Sequence, residues 1–131
     1  ELDRHAGAAD RRLDLLIQVN VAGEATKHGA GEEEVPGILR AAGDCRNVRV
    51  RGLMVIPPYD PEPERSRPRF RQLAGLALRL RKDHFYNVAL EELSMGMTED
   101  FEVAVEEGAT LVRIGRALFG ERPARVAKEN P

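Results

Sequence analysis

Leu93-Ser94-Met95-Gly96-Met97 and Leu111-Val112-Arg113-Ile114-Gly115-Arg116 are short apolar runs, each leading into a glycine-containing segment. Between them Phe101, Ala104 and Val105 fall on one face of a compact helix. Thr98 is placed to cap that helix, Glu99 and Asp100 fill its first turn, and Gly108 fits its C′ position. Such a strand–helix–strand unit lets a (β/α) protein hold phosphate at the carboxyl ends of adjacent strands. Ser94 brings a hydroxyl to a strand end. Met95, Gly96 and Met97 offer backbone N–H groups, with glycine permitting close approach. Gly115 and Arg116 open the last element, where N–H groups precede any helical partner.

Working outward, Leu13 to Val21 reads as a buried strand that is β-branched near its end. A glycine-containing loop from Ala22 to Gly31 includes Thr26-Lys27-His28. Val35, Ile38, Leu39 and Ala42 share a helical face over Glu33 to Ala42, and Pro36 requires that helix to start near Glu34. A second strand spans Val48 to Ile56 and is stopped by Pro57-Pro58-Tyr59-Asp60-Pro61. The longest helix runs from Pro63 to Lys82 with Phe70, Leu73, Ala74, Ala77 and Leu80 or Arg81 inward, and His84 ends it. Glu92 to Met95 is a third strand and Leu111 to Ile114 a fourth. Pro123 to Pro131 reads as a short terminal helix, and Glu1 to Arg12 as the end of another.

The order is therefore β-α-β-α-β-α-β-α, which implies parallel strands joined by crossovers. Four parallel strands leave two edges open, short of a complete sheet of this class. The chain reads as half of something larger.

Composition narrows the function classes. The 131 residues, 42% hydrophobic and 32% charged, suit one modest globular domain. Twenty basic residues against 22 acidic ones give a net charge of −2, so no global field favours nucleic acid or a membrane. Cys45 is the single cysteine, which excludes an internal disulfide and suits a reducing compartment. Nothing resembles a signal peptide or a membrane-spanning run, so a cytoplasmic location is expected.

At Gln18-Val19-Asn20, Lys27-His28-Gly29, Arg51-Gly52-Leu53-Met54, Leu93 to Met97 and Val112 to Gly120, the chain resembles the pyridoxal phosphate homeostasis protein family. These are small proteins related to the amino-terminal barrel of alanine racemase. The five motifs keep their order from about Leu13 to Arg122. The resemblance implies an α/β fold of the racemase type, a (β/α)8 TIM barrel. Residues 1–131 would be a fragment of it: the carboxyl-terminal half only, supplying the last four β/α units. It also implies the cofactor pyridoxal 5′-phosphate, whose Schiff-base lysine is expected in the absent amino-terminal half. Lys27, Lys82 and Lys128 match no such position.

Carried over by the resemblance, the cofactor-binding positions are Met54, Ser94, Met95, Gly96, Met97, Arg113, Ile114, Gly115 and Arg116. Ser94 and the backbone from Arg113 through Arg116 fall to the phosphate. Arg113 falls to the ring nitrogen, where a cation disfavours protonation and weakens the electron sink. Met54 and Met97 are placed against the ring, with core packing as the alternative. Many relatives carry threonine in place of Arg116, which leaves the role of its side chain open. A plain phosphate or sulfate anion would suit the same groups. An amino-terminal half, or another copy of the chain, is the expected partner.

The function implied is non-catalytic binding of the cofactor, for buffering or delivery. One alternative is a racemase-like enzyme, for which Tyr59 and Tyr86 are the only tyrosines. Another is an interaction module built on Arg65, Arg67, Arg69, Arg71, Arg79 and Arg81. That run is expected to be a solvated helix face, since no aromatic platform accompanies it. Glu91 and Glu92 are expected in a solvated loop, because no partner base is identifiable. His5, His28, His84 and Cys45 are scattered, giving no support for a metal.

Overall fold

In the computed structural model, residues 1–21, 23 and 28–120 are described. Lys27, Lys128 and the expected helix over Pro123 to Pro131 lie outside them. The elements are α1 (Leu2–Ala8), β1 (Leu13–Gln18), α2 (Val35–Gly43), β2 (Val48–Met54), α3 (Arg67–Leu80), β3 (Val88–Met97), α4 (Phe101–Glu106), β4 (Leu111–Arg113) and α5 (Arg116–Phe119). Single 3-10 turns at Pro63–Ser66 and Arg81–Asp83 flank α3.

The four strands form one open parallel sheet in the order β1-β2-β3-β4. Among the described residues β1 and β4 each have a single strand neighbour, and no β1–β4 pairing closes the sheet. The expectation of an eight-stranded TIM barrel is therefore corrected. Among the described residues the fold is an open α/β sheet with five α-helices, extending over nearly the whole chain.

Register decides which side chains meet the helices. Ile17, Leu53 and Leu93 stand opposite one another, and one residue on, so do Gln18, Met54 and Ser94. Because successive side chains in a strand alternate between faces, Leu53 and Leu93 enter the helix-side core while Met54 and Ser94 take the other face. The core gathers Val35 and Leu39 of α2, Phe70, Leu73, Leu76, Ala77 and Leu80 of α3, and Val103 and Ala104 of α4. The apolar positions of α3 recur at helical spacing, so burying that stripe is what holds the helix on the sheet. Pro36 and Pro68 each lie in the first turn of their helix, where a missing N–H costs nothing.

The elements depart from expectation where single residues interrupt a periodic pattern. β1 stops at Gln18, and Val19 continues with an N–H bond to the Met54 carbonyl at 2.8 Å and an isolated bridge to Ala30. β2 stops at Met54, and the expected long helix contributes regular α-helix only from Arg67 to Leu80. His84, with φ 47°, ends the 3-10 turn that follows the helix rather than the α-helix itself. β3 begins at Val88, well before Glu92, through a left-handed residue at Leu90 (φ 52°). The Arg81 guanidinium donates to the Leu90 carbonyl at 2.8 and 2.6 Å, so Arg81 secures this irregular start.

Candidate functional site

β3 and β4 bring the two opening motifs side by side. Ser94 pairs with Leu111 and Met97 with Arg113, so both glycine-containing segments leave the sheet at its carboxyl edge. Thr110 fixes their offset. Its hydroxyl donates to Glu92 Oε2 at 2.6 Å and accepts the Leu93 N–H at 2.8 Å, while its own N–H donates to the Leu93 carbonyl at 3.0 Å.

The centre of the site is Ser94, one of two buried polar residues among those described. Arg113 Nη1 donates to Ser94 Oγ at 2.6 Å, and Nη2 donates to the Val55 carbonyl at 2.9 Å. No carboxylate lies within ion-pair distance of Arg113 among the described residues. Burial pulls its pKa below the usual arginine range, and the field of Asp100 partly opposes that. A half-buried cation with two neutral acceptors leaves an electrostatic demand that an anion would meet.

The other expected positions divide. Met54 stands between Gln18 and Ser94 in the same row, half-buried on the Ser94 face. The Met95 side chain is wholly buried in the helix-side core, which leaves only its backbone to meet a ligand. Gly96 has φ +92°, and an added Cβ would lie 2.6 Å from the Ala104 Cβ and 3.0 Å from the Phe101 Cα. The glycine therefore lets β3 run close over α4. Met97 is partly exposed, and its N–H already donates to Asp100 Oδ1 at 2.8 Å. Ile114 is half-buried, Gly115 is the N-cap of α5, and Arg116 is its first residue.

The Arg116 side chain is engaged elsewhere than at Ser94. It pairs with Glu99, and its guanidinium lies 5.8 Å from the Tyr59 ring centroid. A cleft of about 310 Å³ lies here, with Ile56, Pro58 and Tyr59 on one wall and Met97, Asp100 and Arg116 on the other. A second cleft of about 210 Å³ lies beyond Pro57 and Pro58, between the ends of β1 and β2, and reaches Arg69. These contacts of Asp100, Glu99 and Tyr59 were not read from the sequence. The spacing of Met97 and Asp100, a polar cap three residues after a free amide, is the signal that could have disclosed one of them.

One further expectation is corrected. Glu91 and Glu92 are not in a solvated loop. Both lie on β3 within 3.1 and 3.6 Å of Arg51, which also bonds Asp14 at 3.1 Å. The arginine run also carries ion pairs, while Arg65, Arg71 and Arg79 remain 63% or more exposed. Arg65, Arg67, Arg71 and Arg79 are each paired with carboxylates of this same chain.

The model of the family described as "Alanine racemase, N-terminal domain" matches residues 1–123. The chain belongs to the alanine racemase N-terminal domain family. The family match includes α1 and covers nearly the whole chain, which corrects the expectation that the likeness is to a carboxyl-terminal half only. Among relatives, the pyridoxal phosphate homeostasis protein of Aquifex aeolicus is 55% identical over 93% of this chain and 53% of its own length. That of Escherichia coli strain K12 is 38% identical over 84% and 46%. The chain thus spans about half the length of the curated relatives it matches. Among solved members, PipY of Synechococcus elongatus without pyridoxal phosphate superposes with a TM-score of 0.82 at 36% identity, over 91% of this chain and 55% of PipY. PipY with pyridoxal phosphate bound gives a TM-score of 0.72 at 33% identity, over 91% and 54%.

Proposed function

We propose that this chain takes part in non-catalytic binding of pyridoxal 5′-phosphate, serving cofactor buffering or delivery. The observation that carries this reading is the buried Ser94 hydroxyl beside the Arg113 guanidinium, a cation that among the described residues bonds only neutral oxygens. A solved relative with pyridoxal phosphate bound lends the cofactor's identity. Ser94 and the backbone of Met95, Gly96, Ile114, Gly115 and Arg116 take the phosphate. Met97 contributes at the rim and Met54 borders the ring. Arg113 holds positive charge on the ring-nitrogen side.

When bound, the cofactor supplies an aldehyde and an electron sink. A cation beside the ring nitrogen disfavours its protonation and so weakens that sink. The two tyrosines give no joint acid–base site, because Tyr59 follows β2 and lies under Arg116, while Tyr86 precedes β3 at the opposite end of the strands. A cytoplasmic location, and a partner segment along the open edges of β1 and β4, from the rest of the protein or another copy, belong to the same proposal. Among the described residues no helix is long and apolar enough to cross a membrane.

Equilibrium titration with pyridoxal phosphate and with pyridoxal tests the reading. Loss of the phosphate should weaken binding at least tenfold, since hydrogen bonds to a charged group are worth about 1.5–3 kcal/mol each. Equal affinity for the two compounds would refute a phosphate site. Amino-acid racemisation by the loaded protein would instead favour an enzyme.

A further inference from the structure

Arg113 and Ser94 form a unit whose arrangement has a specific chemical consequence. A serine hydroxyl carries one donor and two acceptor sites and normally rotates to suit its neighbours. Here Arg113 Nη1 donates to the Ser94 oxygen at 2.6 Å, while Nη2 is anchored on the Val55 carbonyl at 2.9 Å. The Val55 N–H in turn donates to the Ser94 carbonyl at 3.1 Å. The guanidinium is thus a rigid fork joining β4, β3 and the end of β2, and planar guanidinium geometry fixes where its second prong must point.

We infer that Arg113 is a positioning residue for Ser94: it occupies the acceptor side of the hydroxyl, leaving the O–H to be donated to a phosphate monoester. The cation also polarises the hydroxyl, since bonds in a chain strengthen one another. Ser94 thereby becomes a stronger donor while carrying no charge of its own. This inference rests on the proposed phosphate site and adds the direction of the Ser94 proton and the residue that sets it. It also accounts for the buried position of Ser94, which would be costly for a hydroxyl free to rotate and unpaired.

Binding of pyridoxal phosphate by the full chain is to be measured for wild type, Ser94→Ala, Arg113→Met, the double variant and Arg113→Lys. Each single substitution removes a charge-assisted link and should weaken binding about tenfold or more. If Arg113 acts through Ser94, the double variant binds no more than about threefold more weakly than Arg113→Met, because the serine has already lost its orientation. Arg113→Lys keeps the charge but cannot hold both oxygens, and should recover less than half of the lost affinity on a logarithmic scale. Additive losses in the double variant, or full recovery with lysine, would overturn the inference while leaving the phosphate site standing. Wild type that fails to bind pyridoxal phosphate would overturn both. Should Arg113→Met fail to fold, Arg113→Gln, which keeps two donors without charge, takes its place under the same criteria.

Discussion

Gly52 shows how a single atom can be excluded from a sheet. An ideal Cβ built there would lie 1.8 Å from the Glu92 carbonyl oxygen and 2.6 Å from its carbon. Both are backbone atoms, and they lie where the β2–β3 register shifts between Val50 and Gly52. No side chain can move aside, so β3 must be displaced from β2. Gly52→Ala should therefore destabilise by about 3 kcal/mol, the upper part of the overpacking range, or prevent folding outright. A urea midpoint unchanged from wild type would contradict that contact. The motif Arg51-Gly52-Leu53-Met54 was legible in the sequence, but the reason for its glycine was not, because the atom it avoids belongs to a strand forty residues away. Ser94 and Arg113 show the same limit. Their residue types and places at strand ends could be read, whereas the bond between them depends on an offset that Thr110 sets from outside either motif.

At the scale of elements, α3 and α4 are joined by charge as well as by apolar packing. Arg67 reaches Glu64, Glu106 and Glu107, and Arg71 reaches Glu107 at 2.8 Å. Periodicity identified α3 and its buried stripe, but not the pairing of Arg67 and Arg71 with Glu106 and Glu107 at the end of α4. The Glu107 carboxyl, hydrogen-bonded first by Arg71 and then by Arg67, is held down from an ordinary 4.5 to about 2. A pKa lowered by folding contributes stability above the unfolded value, and that contribution is lost as pH falls from 4.5 toward 2. Arg67 and Arg71 stay charged throughout, and on the carboxylate side both Glu107, which the two arginines share, and Glu64, bonded by Arg67, are lowered. The melting temperature of wild type should fall over that interval, and Glu107→Gln should flatten this part of the profile while lowering the melting temperature at neutral pH. Parallel acid limbs for the two proteins would show that the link contributes nothing. The α4 cap was misread for a related reason. Thr98 was expected to cap it, but Asp100 is the N-cap residue and takes the Met97 amide, while the Thr98 hydroxyl lies 3.5 Å from the Ala117 N–H. Both polar side chains suit a cap, and only the path of the backbone chooses between them.

For the whole molecule, the alternation of strands and helices disclosed a parallel sheet, and the count of four strands disclosed that its edges would be open. What it could not disclose was closure. The barrel came from resemblance, whereas the described residues pair in one open run from β1 to β4. That run ends at a β4 of three residues, with Leu111 and Val112 40% or more exposed, followed by α5 with Leu118 and Phe119 at 70% and 86%. An edge strand with unpaired backbone groups and exposed large apolar residues is a template for association. The 131-residue chain should accordingly sediment faster as its concentration rises. Removing a large apolar side chain from water is worth about 1.5–3 kcal/mol, so Phe119→Glu should weaken association about tenfold or more. Val112→Lys should act in the same direction by placing charge on the edge strand. Neither residue belongs to the helix-side core, so both variants should retain the wild-type melting temperature at low concentration. Sedimentation velocity across a concentration series decides the matter: unchanged coefficients in wild type, or equal association in both variants, would mean that this edge is not what the molecule uses to meet another chain.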